Sequence, residues 1–173
     1  RALHGTGGVA AYTRELVRGL AEYAASEQLL LVDLDRGLAE RRRFERALGQ
    51  LPPTVTVVRA EDELLRAVDL FHAPGFRMPA PGAARCIITL HDLTVISHPH
   101  CHTLANRART LVAIAQAVSR GAVLLATTAA TRDEAERFLS MPVDRVAVVP
   151  PVIGNVFTAS ADDSDDQVVR GLA

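Results

Sequence analysis

The sequence predicts an α/β fold, a parallel sheet with helices on both faces, from three observations. Short apolar runs alternate along the chain with longer stretches whose apolar residues recur about every 3.6 positions. Hydrophobic residues make up 49% of the chain but aromatics only 4%, with no tryptophan. The core must therefore be built from Ala, Val, Leu and Ile, the residues of strands buried on both faces. At 173 residues the chain can form one well-buried core, or one domain with a tail.

The elements follow in order. Gly8 to Ala25 carries Val9, Tyr12, Leu16, Val17, Leu20 and Ala24 near helical spacing, with Thr6 or the glycines as a start. Leu29 to Leu34 is a short apolar run bounded by charge, the pattern of a buried strand. Arg36 to Gln50 reads as a helix closed by Leu51, Pro52 and Pro53. Thr54 to Val58 is a β-branched strand, Glu61 to Ala67 a short helix, and Asp69 to His72 another strand. The Pro and Gly cluster from Ala73 to Gly82 excludes regular structure and marks a loop at a strand end. Cys86 to Leu90 is the next strand, and a polar turn leads to a helix from Leu104 to Ser119, stopped by Gly121. Ala122 to Ala126 and Arg145 to Val149 are strands, separated by a helix from Ala129 to Leu139. This β-α alternation implies right-handed crossovers. Beyond Phe157 the run SADDSDDQ has nothing apolar to bury, so residues 1–157 form the domain and 158–173 an acidic linker or disordered tail.

Composition also excludes several functions. The net charge is −1, and no aromatic platform accompanies the arginines, so a nucleic-acid partner is not expected. No apolar stretch reaches the roughly 18 residues of a membrane span, and Cys86 and Cys101 do not make a disulfide framework. Both observations favour a protein of the cytoplasm. All the basic residues are arginine, a composition for which no mechanism calls. The cluster Arg41, Arg42 and Arg43, with Arg36 and Arg46, is interrupted by Glu40 and Glu45. It reads as a solvated face, and membrane association, at most peripheral to the inner face, is not favoured.

Ligands of open α/β sheets bind beyond the carboxyl ends of the strands, and four segments there carry candidate chemistry. In Gly5 to Leu16 glycines lead into a helix N-terminus, where Gly7 and Gly8 would let a phosphate approach the backbone. Gly5, Gly7 and Ala10 also fit a dinucleotide fingerprint, with Asp33 or Asp35 as the later acid. An oxidoreductase domain is therefore one alternative, and a non-catalytic binding module another. His91 and Asp92 follow a buried strand, where an imidazole can hydrogen-bond a sugar hydroxyl or carry a proton while the carboxylate fixes the turn. The segment Ser97 to Thr103 packs His98, His100, Cys101 and His102 closely, but its spacing matches no common zinc pattern. A polar turn with Thr103 capping the next helix fits better, and no metal is expected.

The run Tyr12 to Leu16 after the glycines, DLFHAPGFRMP (Asp69 to Pro79), the His91-Asp92 pair, LLATTAATRDEAERFL (Leu124 to Leu139) and VDRVAVVPPVIGNVF (Val143 to Phe157) stand in a characteristic order. In that order and spacing the chain resembles family 4 glycosyltransferases over nearly its whole length. Ala10, where a second glycine is common, and Pro151-Val152, where Asn-Gly is usual, depart from the pattern.

The resemblance implies the N-terminal, acceptor-side Rossmann-like half of a two-domain GT-B enzyme, with the first strand of its sheet missing. Such an enzyme moves a sugar from a nucleotide-sugar donor to a sugar, lipid-linked or small-molecule acceptor with retention of configuration, and needs no cofactor. Gly7 and Gly8 would lie against the donor phosphates, and His91 beside the transferred sugar with Asp92 orienting its loop. His72, Pro74, Gly75 and Thr128 would line the acceptor side of the cleft. The donor-binding C-terminal domain is the expected partner, so these residues alone are expected to show little turnover.

Overall fold

The computed structural model describes residues 7–23, 27–33, 54–59, 63–76 and 85–151. The predicted helix from Arg36 to Gln50, with its arginine cluster, and the acidic tail lie outside these residues.

Helix α1 spans Gly8–Tyr23 and buries Ala10, Thr13 and Ala21, a stripe of small residues that lets the helix approach its neighbours closely. Strands β1 (Leu29–Asp33) and β2 (Val55–Arg59) follow, then a tight helical turn Glu63–Ala67 within the predicted short helix, whose residues 61 and 62 lie outside the described ones. Strands β3 (Leu70–Ala73) and β4 (Arg85–Leu90) come next. The segment read as a polar turn holds a short helix α2 (Thr94–Ser97) and a helical turn Pro99–Cys101. It forms because Leu93 and Val95 have a core to enter, at 0% and 5% exposure. Helix α3 (Leu104–Ser119), strand β5 (Val123–Ala126), helix α4 (Ala129–Leu139) and strand β6 (Val146–Val148) complete the described elements.

All the described strand pairs are parallel. They form a two-stranded sheet β1-β2 and a four-stranded sheet in the order β3-β4-β5-β6. In the larger sheet the crossovers from β4 to β5 and from β5 to β6 move in the same direction, so their helices α3 and α4 stack on one face. Side chains alternate across a strand, and the register puts Phe71 beside Cys86, Ile88 beside Leu124, and Leu90 beside Ala126. These residues share one face and pack with Ile114 and Ala117 of α3 and Ala135 of α4. Val32 of β1 is packed against this same cluster. The opposite face of β3 and β4 presents His72 and Thr89, and the Tyr12 hydroxyl of α1 reaches Thr89 there. Helices, sheet and helix make the three-layer, Rossmann-like arrangement that the pattern of runs predicts.

The helix ends are secured by recognisable chemistry. The hydroxyl of Thr103 accepts from the Asn106 amide at the start of α3, as expected, and that of Thr128 accepts from Thr131 at the start of α4. Gly121, at φ +74° beyond α3, takes a left-handed conformation that a side chain would resist. Among the described residues no helix is long and apolar enough to cross a membrane.

Candidate functional site

Parallel strands end together, so the loops after β3, β4 and β5 emerge at one edge of the sheet. The contacts among them are specific. The His91 ring donates its Nε2–H to the Pro74 carbonyl oxygen at 2.9 Å, tying the loop after β4 to the loop after β3. The backbone carbonyl of His91 accepts from the hydroxyls of Thr127 at 3.0 Å and Thr131 at 3.4 Å, which tie it to the loop after β5 and to α4. Tyr12 meets the His91 ring edge to face, with centroids 4.9 Å apart and planes at 86°. Tyr12 stands one helical turn beyond Gly8, so the glycine entrance to α1 lies beside His91. A side chain on Gly75 would touch Val9 at 3.8 Å, which puts the first turn of α1 against the β3 loop as well.

The glycines are not demanded by the chain itself. Neither Gly7 nor Gly8 has a left-handed backbone, both are exposed, and a Cβ on either would meet nothing within 4 Å. Gly7 caps α1 by accepting the amides of Ala10 and Ala11 through its carbonyl. Having no side chain, it offers no hydroxyl to the first-turn amides, unlike Thr103 and Thr128, and no acidic residue stands in that turn. Among the described residues no side chain accepts from the first amides of α1, so its positive end is suited to an outside acceptor.

His91 can do more limited chemistry than a free imidazole. A carbonyl only accepts, so Nε2 carries the proton in the neutral ring and Nδ1 is left with its lone pair. Among the described residues Nδ1 has no partner, and the side chain is half-buried. The neutral ring therefore presents an acceptor, suited to a hydroxyl that donates. Asp92 is exposed, and one carboxylate oxygen accepts from both the amide and the hydroxyl of Thr94. It fixes the turn that holds His91. Thr128 is likewise engaged, as the cap of α4 and in a 3.0 Å contact with the Thr131 hydroxyl.

His72 lies one layer below the rim. Its Nε2 is 2.8 Å from the Thr89 hydroxyl, which the Tyr12 hydroxyl also reaches at 3.2 Å. Burial pushes the His72 imidazole below its ordinary value of 6.5. The unfolded chain thus takes up a proton at a higher pH than the folded chain. Above about pH 6.5 both forms are neutral, and stability is expected to be level; below it stability falls, by at most about 1.4 kcal/mol per pH unit for one proton. Urea midpoints measured from about pH 7.5 down to about pH 5 should show this decline in the native chain and a flatter profile in His72→Gln. An equal slope in the variant would assign the proton to another group.

The structure thus gathers Gly7, Gly8, Pro74, Gly75, His91, Asp92 and Thr128 at one edge, with His72 beneath them. Tyr12, Thr89 and Thr127 were not singled out as site residues. Thr89 had a legible signal, because one hydroxyl in the apolar strand Cys86 to Leu90 must find a partner when buried. In the Ser97 to Thr103 segment, His102 bonds Thr94 and Asn106. Among the described residues no three His, Cys, Asp or Glu side chains gather to hold a metal. Gly5 and Asp35 of the dinucleotide fingerprint, and the side chain of Asp33, lie outside the described residues.

No curated protein and no solved structure matches the chain. A family model described as Glycosyltransferase Family 4 matches residues 6–153, a span that contains every element and every site residue above. With its parallel α/β sheet and its loops gathered around His91, the chain belongs to glycosyltransferase family 4.

Proposed function

We propose that this domain is the acceptor-side half of a retaining glycosyltransferase that uses a nucleotide-sugar donor and no resident cofactor. The observation that carries the reading is the convergence of a glycine-started helix with an imidazole held between the loop after β3 and Tyr12 of that same helix. Breaking the bond between the sugar and the diphosphate leaves negative charge on the diphosphate. The first-turn amides of α1 at Gly7 and Gly8 are suited to receive that charge. His91, through Nδ1, accepts a hydrogen bond from a hydroxyl of the transferred sugar. Asp92 holds the turn, and the rim formed by Pro74, Gly75 and Thr128 faces the acceptor. A second domain closes the other side and holds most of the donor. Cys86 and Cys101 are not joined in a disulfide, which suits the reducing cytoplasm, where we place the enzyme.

The test is a panel of nucleotide sugars offered to the full-length protein, with release of nucleoside diphosphate as the readout. We expect saturable release for one nucleotide class, increased by the correct acceptor, and a product with the donor's anomeric configuration by NMR. An inverted product would overturn retention. Tight binding of NADH together with no turnover of any sugar nucleotide would overturn the whole reading in favour of a dinucleotide-binding domain.

A further inference from the structure

We infer that Tyr12 is a positioning residue for His91, holding the imidazole so that one tautomer presents Nδ1 to the substrate; the role rests on the function proposed above. The ring of His91 is gripped from two sides. Its Nε2–H goes to the Pro74 carbonyl at 2.9 Å, and its face or edge meets Tyr12 at 4.9 Å and 86°. A single hydrogen bond to a carbonyl leaves an imidazole free to swing about the χ1 and χ2 bonds. An aromatic wall at right angles removes most of that freedom.

The wall is itself braced. The Tyr12 hydroxyl contacts Thr89 at 3.2 Å, and Thr89, 1% exposed, also contacts His72 at 2.8 Å. A threonine hydroxyl has one proton and two lone pairs. It can therefore serve both neighbours at once, donating to one and accepting from the other. Through Thr89 the tyrosine ring is pinned at its far end to the middle layer of the fold. Helix α1 thereby serves the site twice, through the glycines at its start and through a side chain one turn later. The substrate group met by His91 is, on this geometry, a hydroxyl that donates.

The experiment is nitrogen NMR on the full-length protein labelled with ¹⁵N-histidine, at about pH 8, where imidazoles are neutral, with His91→Gln used to assign the signal. In the native protein His91 is expected to show the tautomer protonated at Nε2. In Tyr12→Ala the two nitrogen shifts should move toward each other, the signature of mixed tautomers. Tyr12→Phe, which keeps the ring and loses the hydroxyl, and Thr89→Val, which loses the brace, should fall between. Circular dichroism and melting establish that each variant is folded. A folded Tyr12→Ala that keeps the native tautomer overturns the inference. In turnover, Tyr12→Ala should lower kcat by roughly 10- to 100-fold with KM within about threefold, and Tyr12→Phe should recover to within about fivefold. A loss confined to KM would also overturn it. If the tautomer shifts as expected while the native protein consumes no sugar nucleotide, the positioning stands and the proposed function fails.

Discussion

Leu90→Ala is expected to lower the unfolding free energy by about 2–5 kcal/mol, the range for removing a buried leucine side chain. Leu90 is 0% exposed and ends β4 on the face that packs against α3 and α4. Its partner across the sheet is Ala126, and Leu93, Ile88 and Ala117 stand in the same cluster. The methyl of Ala126 cannot extend into the vacated space, so little of the cavity can collapse. The Leu90 carbonyl also receives the Thr127 amide at 3.1 Å, so relaxation here would disturb the loop that carries the hydroxyl to His91. Urea titration should show a lower midpoint with an unchanged slope. A loss below about 1 kcal/mol would mean that this end of β4 is not part of the main core.

For His91→Ala in the full-length enzyme, kcat is expected to fall by about 100- to 1000-fold. The substitution removes the Nδ1 acceptor, the Nε2–H bond to Pro74 and the face that Tyr12 packs against. The structural part of that loss is small, because a half-buried hydrogen bond contributes about 1 kcal/mol. The melting temperature should therefore change little while turnover collapses. The two readouts separate a chemical role from a packing role. A rate within about threefold of native would remove His91 from the reaction, whatever the fold around it.

What could be read from sequence divides along a physical line. Elements whose burial is one-sided and periodic were legible: the helices ending at Ser119 and Leu139 match the structure, and α1 matches from Gly8 through Tyr23, with Ala24 and Ala25 outside the described residues. Strands were located to within about one or two residues, because an apolar run shows where burial occurs and not which hydrogen bonds close it. Helix α2 was missed since Leu93, Val95 and Ile96 are too few to show a period, and only the core beside them makes a helix of that turn. His91, Asp92, Pro74, Gly75 and Thr128 could be placed at one edge because parallel strands end together. That His91 is committed at Nε2 could not be read, as it depends on a carbonyl seventeen positions away in the chain. Asp92 and Thr103 are the reverse case, where the local sequence signalled capping and the hydrogen bonds follow it.

The order β3-β4-β5-β6 also bears on how the protein is made. Each strand of this sheet after β3 pairs with the one synthesised just before it: Leu70 with Arg85, Ile87 with Val123, Leu124 with Val146. Every closure spans a short stretch of chain, and none waits for a distant segment. As the ribosome releases each unit, the edge it needs is already in place, so the sheet can lengthen strand by strand during translation. Each newly emerged edge is soon covered by the next strand, which shortens the time for which it could recruit a neighbouring chain.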